Sequence, residues 1–225
     1  MAPVQPATVD TKGQAPTRKR TWVDFAHVYA LRGWPVFPVH IAVRGECSCG
    51  KPGCTNKGKH PQTAHSFYDA TTDEDVIRKW GEVDYPRANI GIRTGKESGL
   101  VVLDIDPDKG GEESLRQLEE QYEALPETVT VVSGGGGRHL YFQHPGGLVP
   151  TTSEKLGPGL DTRGDGGYIV ASPSWHVSGQ QYRWAPDKNP EQAPLAPFPA
   201  WLSDLLQGSH AQGEGKSSRA ADHRG

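Results

Sequence analysis

Long apolar runs, an even set of cysteines, an excess of positive charge and internal repeats are all missing from this 225-residue chain, and each absence narrows what it can be. No stretch approaches the roughly 20 apolar residues of a membrane span. No charged, apolar, small-residue leader opens the chain either, so we expect a soluble, cytoplasmic protein without a membrane partner. The three cysteines, Cys47, Cys49 and Cys54, fall within eight residues. An odd number so tightly spaced excludes a secreted disulfide framework and fits a reducing compartment. The net charge of −3 gives no global attraction to phosphate. The first twenty residues are net +3 and the last eighteen net +1, so the −3 of the whole leaves −7 between them. Any anion-binding surface must be a local patch.

What is present reads as one folded unit with loose ends. With 34% hydrophobic residues, 28 glycines and 19 prolines, the chain describes a loop-rich globular protein. Residues 1–20 and 208–225 are aperiodic, the first basic, and both are expected to be disordered, leaving a domain over 21–207. The pattern predicts a helix from Thr21 or Trp22 to Leu31, stopped at Gly33, and an edge strand over 34–39 that tolerates Pro35 and Pro38. A short helix is expected to open at Thr72 with a hydroxyl cap and acids in its first turn. Strands are expected over 89–93, 100–106, 128–132, 138–143, 168–171 and 181–184, with helices over 112–124 and 200–206. That mixed order implies an α+β or mixed α/β fold.

The strand over 100–106 ends in Asp104 and Asp106, and the period of two puts both carboxylates on one face. One reading is an Asx turn, since Pro107, Asp108, Lys109 and Gly110 follow. A calcium loop using Asp104, Asp106 and Asp108 fails, because its sixth position is Lys109 and its twelfth Leu115. A two-metal site holding Mg²⁺ or Mn²⁺ is the third reading, and it needs another acid and groups for phosphate. Ser133, four glycines, Arg138 and His139 supply candidates, because glycines let backbone N–H groups approach an anion. A hairpin turn would also explain the glycines, though not the Arg-His beside them. This is not a Walker loop, and Gly91 to Glu97 fails the same test. Asp161, beside Leu160 and two residues before Arg163, is the further acid, whereas Asp165 between glycines reads as a turn residue. Separately, Cys47, Cys49, Cys54 and His60 form a Cys₃His set with the spacing of structural zinc over 47–60, with His65 as an alternative fourth ligand.

Taken in order, Asp-x-Asp, Ser133 to Arg138-His139, and Leu160-Asp161 resemble the archaeo-eukaryotic primase superfamily. The closer resemblance is to the bifunctional primase–polymerase domain of plasmids, phages and integrated elements, over residues 22–206. Gly58-Lys59-His60-Pro61, Asn89-Ile90-Gly91 with Thr94-Gly95, and Gly167 to Ser174 belong to the same likeness. It implies an RRM-like catalytic sheet packed with an N-terminal α/β portion carrying the zinc loop. It also implies de novo primer synthesis and extension from nucleoside triphosphates on a single-stranded DNA template. Asp104, Asp106 and Asp161 would hold two metals, His139 would contact the triphosphate, and Arg138, Arg163 and Ser133 are further phosphate contacts. The four-glycine run is longer than the usual serine-to-histidine spacing, and Ser172-Pro173 stands where two prolines are commoner. Without a helicase P-loop here, unwinding would fall to a separate helicase. A two-metal nuclease and an inactive, zinc-stabilised DNA-binding accessory are the alternatives. Six tryptophans, Trp22, Trp34, Trp80, Trp175, Trp184 and Trp201, offer template-stacking faces, most of them expected in the core.

Overall fold

A computed structural model describes residues 20–208, so all of the expected arm but Arg20, and all of the expected tail but Gly208, lie outside the described residues. Helix α1 (Trp22–Ala30) opens where the Asp24 carboxylate accepts from the Thr21 N–H and hydroxyl. Strand β1 (Val36–Val39) and the short hairpin β2 (Ala42–Val43) and β3 (Glu46–Cys47) follow. Helix α2 (Glu74–Lys79) is capped by Asp73, whose carboxylate accepts from Asp75 and Val76 N–H, and not by the expected Thr72 hydroxyl. A carboxylate serves better there, because it also answers the helix dipole.

Strands β4 (Asn89–Arg93) and β5 (Leu100–Ile105) lead into helix α3 (Gly111–Gln121), which ends three residues earlier than expected. Strands β6 (Thr130–Val132), β7 (Arg138–Gln143), β8 (Leu160–Arg163), β9 (Tyr168–Val170), β10 (Arg183–Trp184) and β11 (Ala196–Pro197) precede helix α4 (Ala200–Gln207). The chain is thus a mixed α/β protein with a large antiparallel sheet in the order β10-β6-β7-β5-β8 and a small one in the order β1-β4-β9. β11 lies parallel to β7 beyond the end of β6. Among the described residues no helix is long and apolar enough to cross a membrane.

β5 is buried on both faces, and the two faces feed separate cores. Val101, Leu103 and Ile105 pack with Leu115 of α3 and Trp201 and Leu202 of α4. Leu100 and Val102 point the other way, into a core shared with α1, the small sheet, and Tyr141 and Val131 of the neighbouring strands. Each fully buried aliphatic side chain contributes roughly 1.5–3 kcal/mol. The second face changes character at its end: after Leu100 and Val102 come Asp104 and Asp106. In the small sheet Gly91 lies in register with Phe37, whose ring atoms come within 2.2 Å of where a Cβ would stand. The glycine lets that ring cover the strand and reach Tyr168 edge-on.

Asn89 ties the parts together. Buried to 1% exposure, its amide donates to the carbonyls of Gly58 (3.0 Å), Trp175 (2.8 Å) and His40 (3.3 Å), and its oxygen accepts from Trp175 N–H at 2.8 Å. Asn89→Leu leaves these backbone groups buried without partners, at about 1–3 kcal/mol each. The variant is expected to lose about 3 kcal/mol or more, seen as a lower denaturation midpoint with an unchanged slope.

Candidate active site and metal centre

The two sheets part at the end of β5 to leave a cleft of about 540 Å³. Asp104 and Asp106 line it, together with His139, Arg163, the Ser133–Gly137 turn, and Asn56 and Lys59 of the cysteine loop. Strand pairing sets the floor. Asp104 on β5 stands in register with His139 on β7 and with Asp161 on β8, so three candidate side chains share one row of one face. Asp104 Oδ1 is 3.4 Å from His139 Nε2. Arg163 lies between two acids, its guanidinium donating to Asp161 at 2.6 Å and reaching Asp104 at 3.8 Å. Asp161 flanks the cleft and is fixed by Ser153 Oγ and Glu154 N–H, both at 3.0 Å on one carboxylate oxygen.

Asp106 also makes the Asx turn that was one reading of this pair: its carboxylate accepts from Asp108 N–H at 3.2 Å and heads the 3₁₀ turn Pro107–Lys109. Lys109 Nζ is 3.3 Å from its other oxygen, and that contact raises the lysine pKa. The three carboxylates do not gather their oxygens into one compact group among the described residues. Each is instead paired with a cation of the chain. Their chemistry still fits divalent ions, since hard oxygen donors are what Mg²⁺ and Mn²⁺ take. Arg163 already holds positive charge between two of them.

His139 is almost wholly buried, and burial is the main cause that holds its imidazole below the ordinary range. Asp104 opposes that shift, while Lys59 and Arg163 reinforce it. Its Nδ1 is buried without a hydrogen-bond partner. The shift favours the neutral ring, and Nε2 is the nitrogen that faces Asp104. Ser133 Oγ accepts from Gly137 N–H at 3.0 Å, which closes the turn and leaves the hydroxyl proton to point elsewhere. The glycine run is needed for space. A Cβ at Gly134 would stand 2.4 Å from His176 Cβ, and one at Gly137 would stand 2.8 Å from the Ile105 carbonyl. Arg138 is the site residue that the structure does not bring in. As the neighbour of His139 it must point to the opposite face, where it forms a bidentate pair with Glu112 of α3 at 2.9 and 2.5 Å.

The cysteine loop gathers a second centre. Cys47, Cys49, Cys54 and His60 bring their ligand atoms within 4.8 Å of one another. His60 Nε2 lies 3.3 Å from Cys47 Sγ and 3.6 Å from Cys54 Sγ. A tetrahedron with Zn–N and Zn–S arms of about 2.0–2.3 Å has edges of roughly 3.5 Å, so the set fits zinc. Burial raises the Cys47 thiol pKa, but hydrogen bonds from the Cys49 and Gly58 backbone, Cys49 and His60 outweigh it and lower the thiol to about 6. His65 is elsewhere, its ring and N–H bonded to Asp69.

Several cleft residues were not singled out from the sequence. Lys59, Asn56, His176 and Tyr182 line it alongside the acids. Lys59 stands one residue before His60 of the Cys₃His set, within the Gly58-Lys59-His60-Pro61 run of the family likeness, and that was the available signal. Asp165 is the hub of its turn, as expected. It accepts from Val149 N–H (2.9 Å), Lys96 N–H (3.0 Å) and His144 (3.2 Å). Burial alone would raise its pKa, but these donors hold it below the carboxylate range. Of the six tryptophans, Trp34, Trp80 and Trp201 are buried, Trp22 and Trp184 pack partly into the core, and Trp175 is 51% exposed.

A family model described as bifunctional DNA primase/polymerase, N-terminal, matches residues 26–201. No curated protein matches the chain.

Proposed function

Because the chain belongs to the bifunctional DNA primase/polymerase N-terminal family, we propose that it makes primers de novo and extends them on a single-stranded DNA template, from nucleoside triphosphates, in replication of a plasmid, phage or integrated element. The observation that carries this reading is the cross-strand row of His139, Asp104 and Asp161, with Asp106 following on the same face. Two acids in the cleft and a third flanking it, beside an imidazole and an arginine, suit nucleotidyl transfer. Asp104, Asp106 and Asp161 would hold two Mg²⁺ or Mn²⁺ ions, which when bound lower the pKa of the attacking hydroxyl and neutralise charge on the triphosphate.

The rest falls to side chains. Arg163, released from Asp104 and Asp161, turns its donors to phosphate oxygens. His139 donates from its neutral ring, and Ser133 from the hydroxyl proton that its turn does not use. The 3′-hydroxyl of the primer or initiating nucleotide gives its proton to solvent, and its oxygen forms the new bond to the α-phosphorus. The bond from that phosphorus to the β-phosphate oxygen breaks, and pyrophosphate leaves. Nothing in this scheme needs a protein nucleophile. Asp104 and His139 are held by strand pairing on both sides, so the floor is in place before substrate arrives.

The test is an end-labelled primer on a longer template with Mn²⁺ or Mg²⁺, with and without nucleotides, alongside single-stranded template alone. Extension together with primer synthesis supports the proposal. Shortening of the primer supports the nuclease, and DNA binding without incorporation supports the inactive accessory. Arg138 gives a second check, because it faces α3. Arg138→Ala is expected to leave incorporation within about twofold and to cost no more than the roughly 0–1 kcal/mol of an exposed ion pair. Steady-state incorporation and a melting curve measure the two.

A further inference from the structure

One wall of the cleft comes from the cysteine loop, and Lys59 is the residue that brings charge to it. Its backbone is fixed from several sides. Tyr168 Oη donates to the Lys59 carbonyl at 3.0 Å, Lys59 N–H donates to Asn56 at 3.0 Å, and Asn89 donates to the preceding Gly58 carbonyl at 3.0 Å. Gly58 is buried at a φ of +73°, where a side chain would be strained and would also meet Ala42 N at 3.0 Å. His60, the next residue, belongs to the zinc set. The loop therefore presents Lys59 from a rigid base. The same Asn89 amide donates to the Trp175 carbonyl at 2.8 Å, which brings His176, the next residue, to the same side of the cleft as Lys59.

The other cations near the acids already face carboxylates, and Arg163, even when metal ions free it, is held by β8 beside the acids, where the α-phosphate would lie. Arg163 pairs with Asp161 at 2.6 Å, Lys109 pairs with Asp106 at 3.3 Å, and Arg138 pairs with Glu112 on the far face. Lys59 has no carboxylate partner among the described residues, yet it lines the same cleft as Asp104 and Asp106. A triphosphate whose α-phosphate lies at the acids carries its remaining charge away from them, and that charge needs an uncommitted cation. His176 is beside the glycine turn. Its ring would be 3.3 Å from a Cβ at Gly135, and Ser178 two residues on donates to the Gly134 carbonyl at 2.7 Å.

We propose that Lys59, with His176 beside it, forms the subsite for the terminal phosphates of the incoming nucleoside triphosphate, so that the zinc loop is one half of the nucleotide-binding site. This rests on the nucleotidyl-transfer reading. A charge-assisted contact of this kind is worth about ten- to a hundredfold in affinity.

Calorimetric binding of a nucleoside triphosphate and of the matching monophosphate, each with Mg²⁺, tests it on the full chain. Lys59→Ala and Lys59→Gln are expected to weaken the triphosphate about tenfold or more. Monophosphate affinity should stay within twofold and zinc at one per chain, and Lys59→Arg should recover most of the loss. Removing zinc from the wild type should weaken triphosphate binding to a similar level, with no further loss when zinc is removed from Lys59→Ala. Unchanged triphosphate affinity in both variants overturns the subsite. So does an equal loss for both nucleotides, or a loss seen only in Lys59 variants that no longer hold zinc. If the wild type binds no triphosphate at all, the nucleotidyl-transfer reading itself falls, and the subsite with it.

Discussion

Asp104→Asn is expected to lower nucleotide incorporation by about a thousandfold or more while leaving the fold intact. Asparagine keeps the size of the side chain and removes its charge. That charge faces the cleft from an interior strand of the large sheet, flanked by His139 and Asp161 in register. Losing one anionic ligand from a metal-assisted site forfeits several kcal/mol of transition-state stabilisation, each 1.36 kcal/mol being tenfold. Folding should hardly notice, because both backbone ladders of β5 remain and the substituted group is partly open to solvent. Incorporation measured against a matched melting curve separates the two. Activity within tenfold of wild type would reduce Asp104 to a polar residue at a sheet end and remove the metal assignment with it.

Loss of zinc is the second large effect. The loop from Ala42 to Pro61 has a two-residue hairpin and little apolar burial of its own, with Cys47 its main buried apolar side chain. Structural zinc sites bind with about 10–16 kcal/mol, comparable with the whole stability of a domain at about 5–15 kcal/mol. A strong chelator, or Cys47→Ser with Cys54→Ser, is therefore expected to release one zinc per chain. The loop should then open to protease within residues 42–61, and primer synthesis should be abolished. Metal analysis, limited proteolysis and the incorporation assay read these in turn, and added zinc should restore the chelated protein. Protein that purifies without zinc and ignores the chelator would leave the Cys₃His set as ordinary reduced thiols.

The parts legible in the sequence were those with a local cause. β4 and β7 run where apolar alternation placed them, and β1 is the edge strand that its proline requires. β8 escaped because Leu160 to Arg163 is only four residues inside a glycine-rich stretch, too short for a period to stand out. Its alternation is nonetheless complete: Leu160 and Thr162 are buried, while Asp161 and Arg163 face the acids. Arg138 was expected among the phosphate contacts with His139, and it faces α3 instead, since two consecutive strand residues cannot share a face. Lys59 and His176 lie 117 positions apart, and no local pattern connects them. What joins them is the Asn89 amide, which binds Gly58 on one side and Trp175 on the other.

The double burial of β5 has a thermodynamic consequence. Asp104 belongs to a strand hydrogen-bonded along both edges and wedged between two cores, so there is no partial opening by which it can leave its place. Moving it requires the cooperative loss of the whole sheet, at the full free energy of unfolding. The glycine turn, by contrast, hangs on far fewer contacts and lies at the low end of that scale. On the proposed reading, adaptation to different bases and to a growing primer falls to that turn, while the acids on the floor behave as a fixed origin.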